Sequence, residues 1–191
     1  PEVSGRGIGR LREQGIEVTT GILEDECRAL NRFFMTFQEK KRPYIILKWA
    51  QSSDGFIDRR RPDCEPPAQL SDALTRVWAH RLRAVCDAIL VGTRTAVADN
   101  PSLTTRHWSG KNPLRIAIDR NGTIPAQARL LDGSAPTLIV GKCSSPTVDT
   151  LPLPSDDNAI EALMPELARR KIQSLLVEGG AHLLQSFIDA G

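Results

Sequence analysis

Cysteine is sparse in this sequence, and what there is stands apart. Four cysteines occur in 191 residues, at Cys27, Cys64, Cys86 and Cys143, with no C-x-x-C pair and no histidine at ligand spacing. That argues against a disulfide scaffold and leaves no candidate metal site. A reducing, cytoplasmic compartment is the expectation. Cys86 falls in an amphipathic segment and reads as a small buried hydrophobe. No apolar run approaches the ~20 residues of a membrane span, and no signal-peptide pattern is present. Charge of one sign is also lacking: 25 Lys and Arg face 23 Asp and Glu, a net +2. No general affinity for nucleic acid or membranes is therefore expected. The G-x-G-x-x-G of a Rossmann dinucleotide site is missing. So is G-x-S-x-G, with no His/Asp set to activate a serine. His107 and His182 lack metal-ligand partners, and His80 reads as a surface residue. Aromatic residues make up only 5% of the chain. Trp49, Trp78 and Trp108 read as core or rim packing rather than as platforms for a ring.

What is present is an alternation of strands and helices. Tyr44 to Ala50 is a nearly continuous apolar run, as in a strand buried on both faces. An Arg-, Pro- and Glu-rich loop at 58–69 precedes a helix at about 71–86. Strands follow at 88–91, 114–118 and 137–140. A Ser/Pro/Asp-rich loop at 144–157 leads to a helix near 159–170, a strand at 174–177 and a helix from about 181 to 189. This order argues for an α/β domain with a mostly parallel sheet covered on both faces. Residues 1–41 read differently, as a short helix ended by Gly15, a strand at 16–20 and a helix at 23–34. Such a set cannot close a core of its own, so it is expected to be the tail of a preceding domain. The basic stretch Lys40-Lys41-Arg42-Pro43 marks the boundary.

Chemistry concentrates in four stretches. The segment D-A-I-L-V-G-T-R-T-A-V-A-D-N-P-S-L-T-T-R (87–106) is an apolar strand that opens at Gly92 into hydroxyls, a carboxylate and a guanidinium. Open α/β sheets build sites for phosphorylated ligands at such strand ends. Val177-Glu178-Gly179-Gly180-Ala181 runs from strand through two glycines into helix, which leaves backbone N–H groups open to an anion. Glu178 would repel phosphate and so addresses a hydroxyl or amine instead. Lys48, inside an apolar strand, must find a partner or face a cavity; a lysine snorkelling at the strand end is the plain alternative. On the helix at 71–86, Arg76, His80 and Arg83 share one face, with Trp78, Leu82 and Val85 opposite. A solvated basic face is the simple reading. In the functional one, Arg83 joins Arg106 on a phosphomonoester, for which the guanidinium fork is suited.

Taken together, four stretches resemble the bifunctional deaminase/reductase of riboflavin biosynthesis. They are R-P-Y-I-I-L-K-W-A-Q-S-S-D-G (42–55), H-R-L-R-A-V-C-D-A-I-L-V-G-T-R-T-A-V-A-D-N-P-S-L-T-T-R (80–106), N-P-L-R-I-A-I-D-R (112–120) and L-L-V-E-G-G-A-H-L-L (175–184). Their order and spacing resemble that family's C-terminal reductase domain over residues 42–191, with its last strands missing. Residues 1–41 resemble the tail of its zinc-dependent, cytidine-deaminase-like domain. The zinc-binding H-x-E and P-C-x-x-C elements are absent, so this stretch is not expected to deaminate by itself.

The resemblance implies a dihydrofolate-reductase-like fold, a central mixed, mostly parallel sheet with flanking helices. It implies NADPH-dependent reduction of 5-amino-6-(5-phosphoribosylamino)uracil, whose opened ribose accepts hydride at C1′. Lys48 and Glu178 would be catalytic, with Glu178 also contacting substrate. Gln51, Thr95, Asp99, Gly179 and Gly180 would hold the cofactor. Arg83, Leu103 and Arg106 would hold the phosphoribosyl end. A homo-oligomer is implied, with zinc confined to the deaminase portion. The family's S-x-W-I-T before the 71–86 helix reads Pro67-Ala68-Gln69-Leu70-Ser71 here, so the contacts of its serine and tryptophan are not carried over. Two other readings fit the residues: a related reductase acting on a pterin, and a non-catalytic module for ligand binding or oligomerisation. Paired Arg83 and Arg106 favour a phosphorylated substrate over the pterin.

Overall fold

The structure, a computed structural model, describes residues 5–61, 65–143, 145–154 and 158–191. Cys64 and parts of the loops expected at 58–69 and 144–157 lie outside the described residues. Six strands form one sheet in the order β1-β6-β2-β3-β4-β5: β1 (Tyr44–Leu47), β2 (Ala88–Val91), β3 (Leu114–Asp119), β4 (Thr137–Gly141), β5 (Asp149–Leu151) and β6 (Ser174–Val177). Every pairing among the described residues is parallel. The interior strands β2 and β6 are buried at every position, which is why β2 reads as an unbroken apolar run and β6 is broken only by Ser174. β1, at the sheet's edge, is only half-buried.

Two cores flank the sheet. On one face Leu90, Ile116, Val140, Leu175 and Val177 meet Leu163 and Leu167 of α6 (Ala159–Arg169) and Leu183, Leu184 and Phe187 of α7 (Ala181–Asp189). On the other face Ile89, Val91, Ala117, Ile139 and Leu176 meet Cys86, Leu103, Leu130 and Ala96 of α5 (Thr93–Asp99), with Leu82 of α4 (Ala73–Val85) against them. Alternate residues of each strand serve opposite faces, as the pleat requires. The helices following the neighbouring strands β6 and β2 thus leave on opposite faces. That divergence opens a crevice at the strands' C-terminal ends.

Several local expectations are corrected. Residues 16–20 form no strand, because no strand among the described residues pairs with them to supply a ladder. The helix expected at 23–34 is two, α2 (Glu24–Leu30) and α3 (Arg32–Lys40), after α1 (Arg6–Glu13). Asn31 separates them by donating its side-chain amide to the Cys27 carbonyl, a local bond that competes with the helix ladder. None of these three helices contains a buried residue. β5 arises inside a stretch read as loop, since three residues beside β4 carry no periodicity to detect. Lys48 lies one residue past β1, although its N–H still donates to the Val177 carbonyl. On α4 the expected facing fails: His80 is buried while Trp78 and Val85 are half exposed. No helix among the described residues is long and apolar enough to cross a membrane.

Candidate functional site

The crevice is built from the ends of three adjacent strands. Lys48 follows β1, Glu178 follows β6, and Gly92 follows β2. Backbone bonds from Lys48 N to Val177 O (2.9 Å) and from Glu178 N to Leu90 O (3.0 Å) carry the ladder to its rim. α7 starts at Gly180, which caps it without any side-chain bond. The N–H groups of its first turn therefore have no intrahelical acceptor. Gly180 sits at φ +78°, a left-handed conformation that glycine adopts without strain.

Across the crevice, α5 brings Thr95 against this turn. A Cβ at Gly179 would lie 3.0 Å from Thr95 Cγ2 and 3.1 Å from its Oγ1. Glycine at 179 therefore lets the turn close on Thr95, which sets a hydroxyl beside a helix N-terminus whose free N–H groups suit a phosphate.

Glu178 is held from α4. Arg83 donates Nε to Oε1 (2.9 Å) and its second nitrogen to Oε2 (2.6 Å), and both side chains are largely buried. Another Arg83 nitrogen donates to the Thr104 carbonyl (3.3 Å). Arg106, exposed, donates a guanidinium nitrogen to Thr104 Oγ1 (3.2 Å), and its backbone N–H donates to His80 Nδ1 (2.9 Å). Burial, with Arg83, His107 and Arg106 nearby, pushes the His80 imidazole down to about 4. It is therefore neutral at physiological pH, as an acceptor nitrogen must be.

The expected site residues fall into two groups. Lys48, Thr95, Glu178, Gly179 and Gly180 share the crevice, with Arg83 joined through Glu178 and Arg106 through Thr104. Asp99 stands at the far end of α5, paired with Arg61, which also donates to Asp58 (2.8 Å). Gln51 is exposed and accepts from Trp49 Nε1 (2.9 Å). The Leu103 side chain is core, 2% exposed, so only its main chain, at φ +55°, is available to a ligand. The hydrogen-bond network of these residues also takes in His80, Thr104 and Arg61, none of them among the expected site residues; the i, i+3 spacing of His80 and Arg83 is the one sequence signal of a shared face. Among the described residues no group of three or more His, Cys, Asp or Glu could hold a metal ion.

Known proteins with this architecture share its sequence as well. Residues 43–191 match the family model of the RibD C-terminal domain. The riboflavin biosynthesis protein RibD of Aquifex aeolicus is 35% identical over 199 residues, and that of Bacillus amyloliquefaciens 36% over 203; each match takes in all of this chain. The chain spans about half the length of these relatives, 55% and 54%. Among solved structures, a Thermotoga maritima diaminohydroxyphosphoribosylaminopyrimidine deaminase/5-amino-6-(5-phosphoribosylamino)uracil reductase superposes with a TM-score of 0.87 at 35% identity, covering 100% of this chain and 54% of that one. The riboflavin biosynthesis reductase Rib7 of Saccharomyces cerevisia superposes with a TM-score of 0.59 at 25% identity, covering 81% and 73%. The parallel sheet, the glycine turn facing Thr95 and a family match over 43–191 lead to one assignment: the chain belongs to the RibD C-terminal domain family.

Proposed function

We propose that this chain reduces 5-amino-6-(5-phosphoribosylamino)uracil to its phosphoribitylamino product with NADPH. The observation that carries the reading is the Gly179-Gly180 turn held against Thr95 at the crevice between β6 and β2. The name of the Thermotoga relative, a deaminase/reductase 35% identical over this whole chain, supports the same substrate. The residues fit the cofactor: α7's first-turn N–H groups, behind a glycine cap with no side-chain bond, supply donors for a pyrophosphate, and the Thr95 hydroxyl stands beside them. When bound, the reduced nicotinamide supplies hydride to C1′ of the opened ribose.

The chain's own groups bind, orient and handle the proton. Thr95, Gly179 and Gly180 hold the pyrophosphate side, with Gln51 and Asp99 flanking the cofactor. Arg106 holds the phosphate of the substrate, and the Leu103 main chain lines the sugar. Arg83 keeps Glu178 in place, and Glu178 accepts from a substrate hydroxyl or amine. Lys48, at the end of β1 beside Glu178, holds a proton at Nζ for the nitrogen on C1′, which takes it up as the C1′=N bond of the opened ribose gains hydride at carbon. The whole protein is further proposed to be a cytoplasmic homo-oligomer that also deaminates the preceding pyrimidine. Its zinc would sit outside this sequence, and residues 1–41 would be the deaminase domain's tail. The test follows NADPH absorbance in the full protein on adding the deaminated intermediate. Substrate-dependent oxidation is expected, and its absence would sink the reading.

A further inference from the structure

Residues 103–106 carry the guanidinium that the proposed function places on the substrate phosphate, and each of them is pinned. The Leu103 side chain is sunk in the core. The Thr104 carbonyl accepts from Arg83, and the Thr105 N–H donates to Asn112 Oδ1 at 2.8 Å. The Arg106 N–H donates to His80 Nδ1 at 2.9 Å. His80 and Arg83 lie one turn apart on α4, so one helix face offers an acceptor and a donor to the N–H and C=O of the same loop.

We propose that His80 is a positioning residue for substrate binding, acting through the backbone of Arg106 to aim its guanidinium. Within the fold its imidazole is 6% exposed and meets the His107 ring edge-on, with centroids 4.7 Å apart, so its orientation is fixed by packing. The charged and titratable groups acting on it are Arg83, His107, Arg106 and Glu178. Three of the four are basic, and with burial they disfavour the imidazolium. A neutral ring with Nδ1 as acceptor carries its proton on Nε2. Protonation at Nδ1 would set a donor against the Arg106 N–H and release the loop. A surface histidine would have no such role, and neither the apolar pattern nor the charge pattern of α4 distinguishes it.

This inference rests on Arg106 contacting the substrate phosphate, and the test separates the two. In the full-length protein, substrate KM, NADPH KM and kcat are compared for H80N, H80Q, R106A and the double variant H80Q/R106A. Asparagine presents an oxygen where Nδ1 stood, whereas glutamine displaces it by one carbon. H80Q is expected to raise substrate KM about five- to tenfold, the size of one lost neutral hydrogen bond, with NADPH KM unchanged. H80N retains most of the affinity that H80Q loses, and H80Q adds nothing to R106A. Equal losses in H80N and H80Q, a matching rise in NADPH KM, or additivity with R106A would each overturn the role of His80. An unchanged substrate KM in R106A would overturn the phosphate reading, and this inference with it.

Discussion

Arg83 and Glu178 form a two-point ion pair across the sheet's C-terminal rim, with side chains only 14% and 7% exposed. The pair joins α4 to the end of β6, so each partner fixes the other. Removing one leaves the other charge buried and unpaired, which costs more than the pair contributes. Arg83→Ala is expected to destabilise the fold by about 3 kcal/mol. Replacing both by apolar residues of similar size, as in Arg83→Met with Glu178→Leu, is expected to recover most of that stability while abolishing activity. Denaturant unfolding of the three proteins checks it, and a double variant as unstable as Arg83→Ala contradicts it.

The contact between Gly179 and Thr95 yields a paired test. Gly179→Ala sets a methyl 3.0 Å from Thr95 Cγ2, so the wall must shift by a few tenths of an ångström. The expected outcome is a rise in NADPH KM of about tenfold or more, with a smaller change for substrate. Thr95→Ala, which removes both close atoms, relieves the clash. The double variant should therefore bind NADPH better than Gly179→Ala alone. If it binds worse, the two losses being additive, the crevice is not limited by this contact.

Much of this arrangement was legible in the sequence, because β2, β3 and β6 are short, mostly apolar segments ending in polar or glycine-rich turns. Thr95, Glu178, Gly179 and Gly180 each stand within five residues of a strand's end, so a parallel sheet gathers them without further information. What stayed hidden depends on long-range pairing. His80 looks like a surface residue in the sequence because its acceptor role needs Arg106, 26 residues away. Asp99 and Arg61 lie 38 residues apart, and nothing local to either signals the pair. Leu103 enters through the family resemblance alone, and nothing local to it signals that its side chain joins the core while its backbone takes φ +55°.

Arg106 is the sharpest probe of which ligand lies where. Its guanidinium is exposed, with Thr104 Oγ1 as a side-chain acceptor, so its loss leaves the fold nearly unchanged. Arg106→Ala is expected to raise substrate KM about tenfold to a hundredfold, the range for a charge-assisted bond, without comparable change in NADPH Kd. Equal losses for both ligands would refute its place on the substrate phosphate.

Arg115 is fully buried in β3 and serves the loops rather than the ligands. Its guanidinium donates to Thr137 Oγ1, Asp132 Oδ1 and the carbonyls of Ser102, Arg129 and Ala135. Arg115→Met is expected to cost at least about 3 kcal/mol, because several carbonyls lose their donor at once. Ser102 adjoins Leu103, so substrate KM should rise too. Unfolding and KM measured together would contradict this account if stability fell and KM did not move.

Glu166 gives the fold a defined acid sensitivity. It accepts from Arg169 at 2.8 and 2.7 Å and from Arg170 at 2.6 Å, and Arg170 also pairs with Asp149 of β5 at 2.5 Å. Hydrogen bonds from Arg169 and then Arg170 hold its carboxyl down at about 2, against an ordinary 4.5. A carboxyl depressed in the folded state binds its proton more readily when unfolded. Its stabilisation is therefore complete above the ordinary value and is lost as pH falls toward 2. Glu166→Gln removes that contribution, so its deficit in Tm against the wild-type protein should be constant above pH 5 and shrink as pH falls from 4.5 to 2. A deficit that stays constant over the whole range would show that the Arg169 and Arg170 bonds do not favour the ionised carboxyl.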